Sequence, residues 1–189
     1  MRAGAAGIRS SHVQLVTGTL DPAIRQSMSP DDDPKEKIVD VSGEYRIQAP
    51  RGQVWAALND PNILKQAIPG CESFERTGEN ELEAKVKARI GPINARFAGK
   101  ITLSDLNPPE SYRIGGEGKG GVAGFAKGGA NVTLSEDGDG TILRYTASAD
   151  IGGKLAQIGS RFVKGSAKKI ADDFFGRFAK IVCEQQNAG

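Results

Sequence analysis

KLAQIGSRFVKGSAKKIADDFFGRFAKIVCE, residues 154–184, is the stretch whose reading decides the fold. Ile158, Phe162, Ile170, Phe174, Phe178 and Ile181 fall at helical spacing on one stripe. Leu155, Val163, Ala167, Ala171 and Phe175 widen it. Recurrence every three to four residues is the signal of an amphipathic helix. The width of the stripe suits a helix laid on a sheet rather than a coiled-coil seam. Lys154, Arg161, Lys164, Lys168, Lys169, Arg177 and Lys180 occupy the other side, with Asp172 and Asp173. The pattern predicts one helix over Lys154–Glu184. Gly159 and Gly165 each cost such a helix about 1 kcal/mol relative to alanine, which predicts a close approach there by the sheet or a ligand.

Working outward, the preceding chain alternates. Leu82, Ala84, Val86, Ala88 and Ile90 interleave with Glu81, Glu83, Lys85, Lys87 and Arg89. After Gly91-Pro92, the residues Ile93, Ala95, Phe97, Gly99, Ile101 and Leu103 repeat the period. Asn107-Pro108-Pro109 and Asp137-Gly138-Asp139-Gly140 are turns. Between and after them Tyr112 and Ile114, Val132 and Leu134, and Leu143, Tyr145, Ala147, Ala149 and Ile151 mark further strands. Val39, Val41, Tyr45 and Ile47 mark the first strand. Pro50 and Asp60-Pro61 then open two short helices, the first burying Val54, Trp55 and Leu58. One-sided alternation with short turns means an antiparallel sheet with one wet face, and only the long helix can cover the dry face. The expected fold is α+β, a curved antiparallel sheet of about seven strands wrapped around a C-terminal helix, with two short helices after the first strand.

Residues 1–37 show no periodicity and end in the acidic, proline-bounded Ser29-Pro30-Asp31-Asp32-Asp33-Pro34. They are expected to be a disordered tail, with Met28 an alternative start to Met1. The ordered domain is expected over 38–185, with 186–189 disordered.

At 189 residues with a net charge of +2, the chain lacks the basic excess of a nucleic-acid binder. No apolar run approaches the roughly 20 residues of a membrane span. Cys71 and Cys183 match no metal or redox spacing, and a reduced, cytoplasmic setting is expected. His12 is the only histidine and lies in the tail. That removes Ser-His-Asp and Cys-His catalysis and histidine metal sites from the domain. Asp60, Asp105, Asp150 and Asp172 show no spacing that pairs them for acid–base work.

Two features point to a ligand. Ala84, Ala88, Ala95, Gly99, Ala147 and Ala149 should face the helix. Either they make room for its phenylalanines or they leave an apolar cavity for a hydrophobic small molecule. Gly115–Gly129 holds eight glycines in fifteen residues. Its Gly116-Glu117-Gly118-Lys119-Gly120-Gly121 fits the dinucleotide fingerprint only formally, because a strand and not a helix follows. It is read as a flexible hairpin tip that gates the cavity with Ile68-Pro69-Gly70 and offers Phe125 as an anchor. The residues expected to meet a ligand are Trp55, Ile68, Pro69, Ala84, Ala95, Phe97, Gly120, Gly121, Phe125, Ala147, Phe162 and Gly165. No catalytic or metal-ligating residue is expected.

Val54-Trp55-Ala56-Ala57-Leu58-Asn59-Asp60-Pro61, Ile68-Pro69-Gly70-Cys71 and Gly99-Lys100-Ile101-Thr102-Leu103 together resemble the G subunit of carbon monoxide dehydrogenase. So do Gly124-Phe125-Ala126-Lys127-Gly128-Gly129-Ala130 and Gly152-Gly153-Lys154-Leu155-Ala156-Gln157-Ile158-Gly159, the likeness running over about Val41–Phe178. The resemblance implies the helix-grip, START-like superfamily of hydrophobic-ligand binders. It implies a non-catalytic accessory protein of a molybdenum hydroxylase of that type, whose catalytic subunits would be the partners. The implied ligand is a non-covalent quinone or lipid-like molecule, with no covalent or metal cofactor. The implied role links the enzyme to the inner face of the membrane or to its electron acceptor. An enzyme of the cyclase or hydrolase type, using the same cavity, is the alternative.

Overall fold

The computed structural model describes residues 38–187. Seven strands form one antiparallel sheet: β1 (Ile38–Ile47), β2 (Cys71–Arg76), β3 (Glu81–Ile90), β4 (Ile93–Asn107), β5 (Ser111–Lys119), β6 (Phe125–Asp137) and β7 (Gly140–Gly152). Their order is β1-β7-β6-β5-β4-β3-β2. The chain therefore leaves one edge after β1, crosses to the opposite edge, and meanders back to pair β7 with β1.

The crossing is made by α1 (Arg51–Leu58) and α2 (Pro61–Ala67). Pro50 precedes α1, and Pro61 occupies the first turn of α2, where its missing N–H costs nothing. Asp60 caps α2 by accepting from the Asn62 N–H at 2.8 Å, an arrangement worth about 1 kcal/mol. The Thr141 hydroxyl, fully buried, donates to the Ala49 carbonyl at 2.7 Å and ties β7 to the start of this crossing.

The long helix is not a single one. A short α3 (Lys154–Gln157) stops at Gly159, whose φ of +89° lies in the left-handed region, and α4 runs from Ser160 to Asn187. The break explains Gly159 without any close neighbour. Gly165 is exposed, and no atom lies within 4 Å of where its Cβ would be. Phe162, expected on the buried stripe, is 61% exposed, because at 3.6 residues per turn it lies about 120° round α4 from Phe174. Val163 and Phe178 are buried as expected, and Val182 joins them.

The glycine-rich segment also departs from expectation. Gly115 pairs with Gly129, Gly116 with Gly128 and Gly118 with Ala126, so most of it is regular sheet. The turn is only residues 120–124, around a 3₁₀ turn at Gly121–Ala123. A Cβ on Gly128 would meet the Ser148 carbonyl oxygen at 2.0 Å. Glycine here lets β6 and β7 lie close, and the freedom expected of a mobile tip is largely spent in the ladder.

The core lies between the concave sheet face and α4. Phe178, Ile47, Leu143 and Val54 are fully buried at one end. Val39, Ile151, Leu155 and Val163 close the other end. The tail expected over 1–37 and the choice of start lie outside the described residues. α4 passes the expected boundary at 185 by two residues.

Candidate functional site

Between the two ends of the core the sheet and α4 do not fill the space. A cavity of about 450 Å³ remains. Its floor is the concave sheet: Leu82 of β3, Ile101 and Leu103 of β4, Tyr112 and Ile114 of β5, Ala130 and Val132 of β6, and Leu143 and Tyr145 of β7. Its roof is the inner face of α4, through Ala167, Ile170, Ala171, Phe174 and Phe175. Leu64, Ile68 and Pro69 at α2, with Phe74 of β2, form a side wall. The size is that of a small-molecule site. The wall is not sealed, since Arg76 is exposed and Asn59, Ile68, Pro69, Ala167 and Ile170 are half-buried.

The lining is apolar apart from a few groups. The Arg76 guanidinium donates to the Asn59 carbonyl at 3.3 Å and to the Glu79 carbonyl. Tyr112 packs edge-on to Trp55, with ring centroids 5.4 Å apart. Tyr145 and Phe175 continue a stack onto Tyr45, whose hydroxyl donates to Asp172 at 2.5 Å. Burial first, and the Asp172 bond second, push the Tyr45 hydroxyl far above its ordinary range. The same bond, with Lys168 beside it, holds the Asp172 carboxyl below its ordinary value. Among the described residues no carboxylate lines the cavity. Cys71 is half-buried, and burial raises its thiol, which keeps it protonated. Among the described residues no group of three potential metal ligands occurs.

Two depressions on the outer sheet face are larger, about 600 and 640 Å³. Glu83, Lys85, Lys100, Glu117 and Lys119 border the first, and Asp40, Arg113, Asn131 and Thr146 the second. Their walls are far more polar than that of the inner cavity, which is therefore the candidate site for an apolar molecule.

The family of the carbon monoxide dehydrogenase G subunit (CoxG) matches residues 43–183. The chain belongs to the CoxG family. A conserved protein from Geobacillus kaustophilus is similar at 33% identity and a TM-score of 0.73, over 77% of this chain and 96% of that one. The Zhui aromatase/cyclase from Streptomyces sp. R1128 is similar at 11% identity and TM-score 0.58, over 77% and 93%. Ara h 8.0201 is similar at 11% and 0.55, over 78% and 99%. The last two likenesses show the fold, the START-like helix grip, and nothing further. No curated protein matches the chain. None of the described helices is long and apolar enough to cross a membrane.

Within this CoxG chain the expected ligand-binding residues separate into groups. Ile68 and Pro69 line the cavity. Ala84 packs with Phe74 and Leu82 of its wall, and Trp55 stands behind Tyr112. Ala147 packs on the main core. Ala95 faces Ala88 in the β3–β4 ladder, and Phe97 packs in the cluster that closes the far end. The 120–124 turn lies beyond the end of β5, whose residues Tyr112 to Lys119 span about 23 Å. Gly120 and Gly121 are not among the residues that line the cavity, and Phe97, which Gly120 touches, pairs across β4–β3 with Val86, the partner of Cys71 beyond Ile68-Pro69-Gly70. The Gly120 backbone lies against the Phe97 ring, and the Phe125 ring covers Gly152. Phe125 is half exposed, and Phe162 and Gly165 sit on the outer side of α4.

Asn59, Phe74, Arg76, Tyr112 and Ile170 were not anticipated in the lining. Tyr112 and Ile170 do carry the strand and helix periods, but periodicity assigns a face and cannot say whether that face is filled.

Proposed function

We propose that this CoxG-family protein is a non-catalytic carrier of an apolar small molecule, quinone or lipid-like, serving a molybdenum hydroxylase of the carbon monoxide dehydrogenase type. The observation that carries this reading is the unsealed, carboxylate-free apolar cavity under α4. The carrier links the enzyme's catalytic subunits to an electron acceptor at the membrane. Support for a surface contact comes from one end of the molecule, where Val122, Phe125 and Phe162 are exposed. Lys119, Lys127, Lys154, Arg161 and Lys164 lie in the same segments. Apolar side chains ringed by basic ones suit an anionic bilayer. The cyclase or hydrolase alternative would need an acid–base pair in a cavity whose ionisable lining is Arg76, Tyr112 and Tyr145.

The test is native mass spectrometry of the purified protein, with organic extraction of what co-purifies, followed by titration of the delipidated protein with menadione. Saturable one-to-one binding is expected. A protein that carries nothing and binds neither menadione nor an apolar fluorescent probe would refute the reading.

A further inference from the structure

We propose that the cavity selects apolar ligands bearing a carbonyl, and that the Tyr112 hydroxyl is the group that donates to it. The inference rests on the carrier reading and specifies its ligand chemistry.

The argument is by the polar groups of the lining. Four lining residues carry a polar side chain: Asn59, Arg76, Tyr112 and Tyr145. Asn59 Nδ2 donates to the Trp55 carbonyl at 2.9 Å. Arg76 donates from Nη1 to the Glu79 carbonyl and from Nη2 to the Asn59 carbonyl and is exposed. Tyr145 sets its hydroxyl beside that of Tyr45, which passes on to Asp172. Tyr112 differs. It is only 7% exposed, and its hydroxyl has no hydrogen-bond partner among the described residues. Burial alone keeps it protonated, well above the ordinary tyrosine range.

Among the described residues the only buried side-chain polar atom without a partner is Arg51 Nε, so the Tyr112 hydroxyl keeps access to the cavity it lines. A ligand that displaces water from it loses a hydrogen bond unless it brings an acceptor. The Trp55 ring stands edge-on against that of Tyr112, with centroids 5.4 Å apart. With no protein partner, the hydroxyl takes its acceptor from the cavity. A ligand carbonyl supplies an acceptor and brings no donor that would itself be stranded among Ile101, Ile114, Val132 and Phe174. A pure hydrocarbon fills the same volume and leaves the hydroxyl unmet. Selectivity from a buried hydrogen-bonding group exceeds that from apolar fit, since the wrong ligand leaves the group unpaired.

The experiment compares menadione with 2-methylnaphthalene, two bicyclic ligands of nearly the same shape that differ in the carbonyls. Each is titrated into the full-length protein and into Tyr112→Phe. The readout is the fluorescence of Trp55, the only tryptophan, whose ring is 5.4 Å from that of Tyr112. In Tyr112→Phe the menadione Kd should rise about fivefold, the equivalent of one neutral hydrogen bond. The 2-methylnaphthalene Kd should move less than about twofold. Independently, the carbonyl stretch of menadione bound to the unmodified protein should lie below its position in a hydrocarbon solvent, and should return toward it in Tyr112→Phe. Equal loss for both ligands, or an unshifted carbonyl band in the unmodified protein, overturns the inference and leaves the carrier reading standing. Should neither ligand bind the unmodified protein, both fall together. The infrared measurement on the unmodified protein decides the matter even if Tyr112→Phe folds poorly.

Discussion

Ala171→Trp tests whether the space under α4 is real. Ala171 lies on the inner face of α4 and lines the cavity beside Ile170 and Phe174. In a filled core, an indole in place of a methyl forces neighbours off their rotamers at a cost of about 1–3 kcal/mol. For a domain of this size that is a fall in Tm of roughly 2–12 °C, at about 2–4 °C per kcal/mol. A void of about 450 Å³ takes the ring without displacing the wall, so Ala171→Trp should melt within about 3 °C of the parent. Ala67→Trp is the control: Ala67 is fully buried in α2 and does not line the cavity, so it should show the full overpacking cost. The ligand arm separates space from function. A ligand at 100 times its Kd stabilises the folded state by about 2.7 kcal/mol. Menadione at that level should raise the parent Tm by roughly 5–11 °C and should leave Ala171→Trp unmoved. Differential scanning fluorimetry with and without menadione reads all of these. If Ala171→Trp falls as far as Ala67→Trp, the interior is solid and the carrier reading is wrong. If Ala171→Trp keeps the full menadione shift, the ligand binds elsewhere.

Phe178→Ala should lose about 3–5 kcal/mol in urea denaturation, because Phe178 is completely buried and its ring stacks on Phe174 at 5.8 Å; a loss below about 1 kcal/mol would mean that α4 is not seated on this end of the core. Tyr45→Phe removes the bond to Asp172, so the Asp172 carboxyl, held low mainly by that bond, should titrate at higher pH by carbon-13 NMR. A depressed carboxyl stabilises the fold above its unfolded pKa and loses that contribution as pH falls through the folded one. The acid limb of the parent should therefore flatten in Tyr45→Phe, and an unchanged Asp172 titration would show the bond is absent in solution. Val122→Asp with Phe162→Asp should leave Tm nearly unchanged, since both side chains are mostly exposed. The pair should abolish co-sedimentation with vesicles of one-third phosphatidylglycerol in phosphatidylcholine, and vesicle binding equal to that of the parent would remove the membrane role from this end.

Where outer positions carry charge, the strands were legible. Glu81 through Ile90 alternates without exception, and β3 occupies that span. Where side chains are small or mixed, the strand signal fails. Glycine has no polarity to alternate, so the ladder from Gly115 to Gly129 reads as a loop, although its backbone pairs residue by residue. β2 buries only Phe74, too little for a period, and its sequence gives no sign that it forms the sheet edge. The helical stripe was read through Gly159 as if the phase were continuous. One left-handed residue separates Leu155 and Ile158 from α4, and within α4 Phe162 lies about 120° round from Phe174, off the buried face.

The cavity was harder for a different reason. Small residues were expected to create it, yet Ala95 lies outside its lining and much of its floor is Leu82, Ile101, Leu103, Ile114 and Val132. The void therefore does not arise from missing side-chain volume on the strands. It arises because α4 stands away from the middle of the sheet. α2 contacts both α4 and β2 and so acts as a wedge at the open edge. Leu155 and Val163 pin the start of the helical segment to Val39 and Ile151, and Phe178 and Val182 pin the far end. A helix held at both ends and wedged along one side spans the gap like a bridge. The length of the Asp60-capped α2 and the position of the Gly159 break set that height. Neither is a property of the residues that line the cavity, and a reading of faces and periods alone cannot supply it.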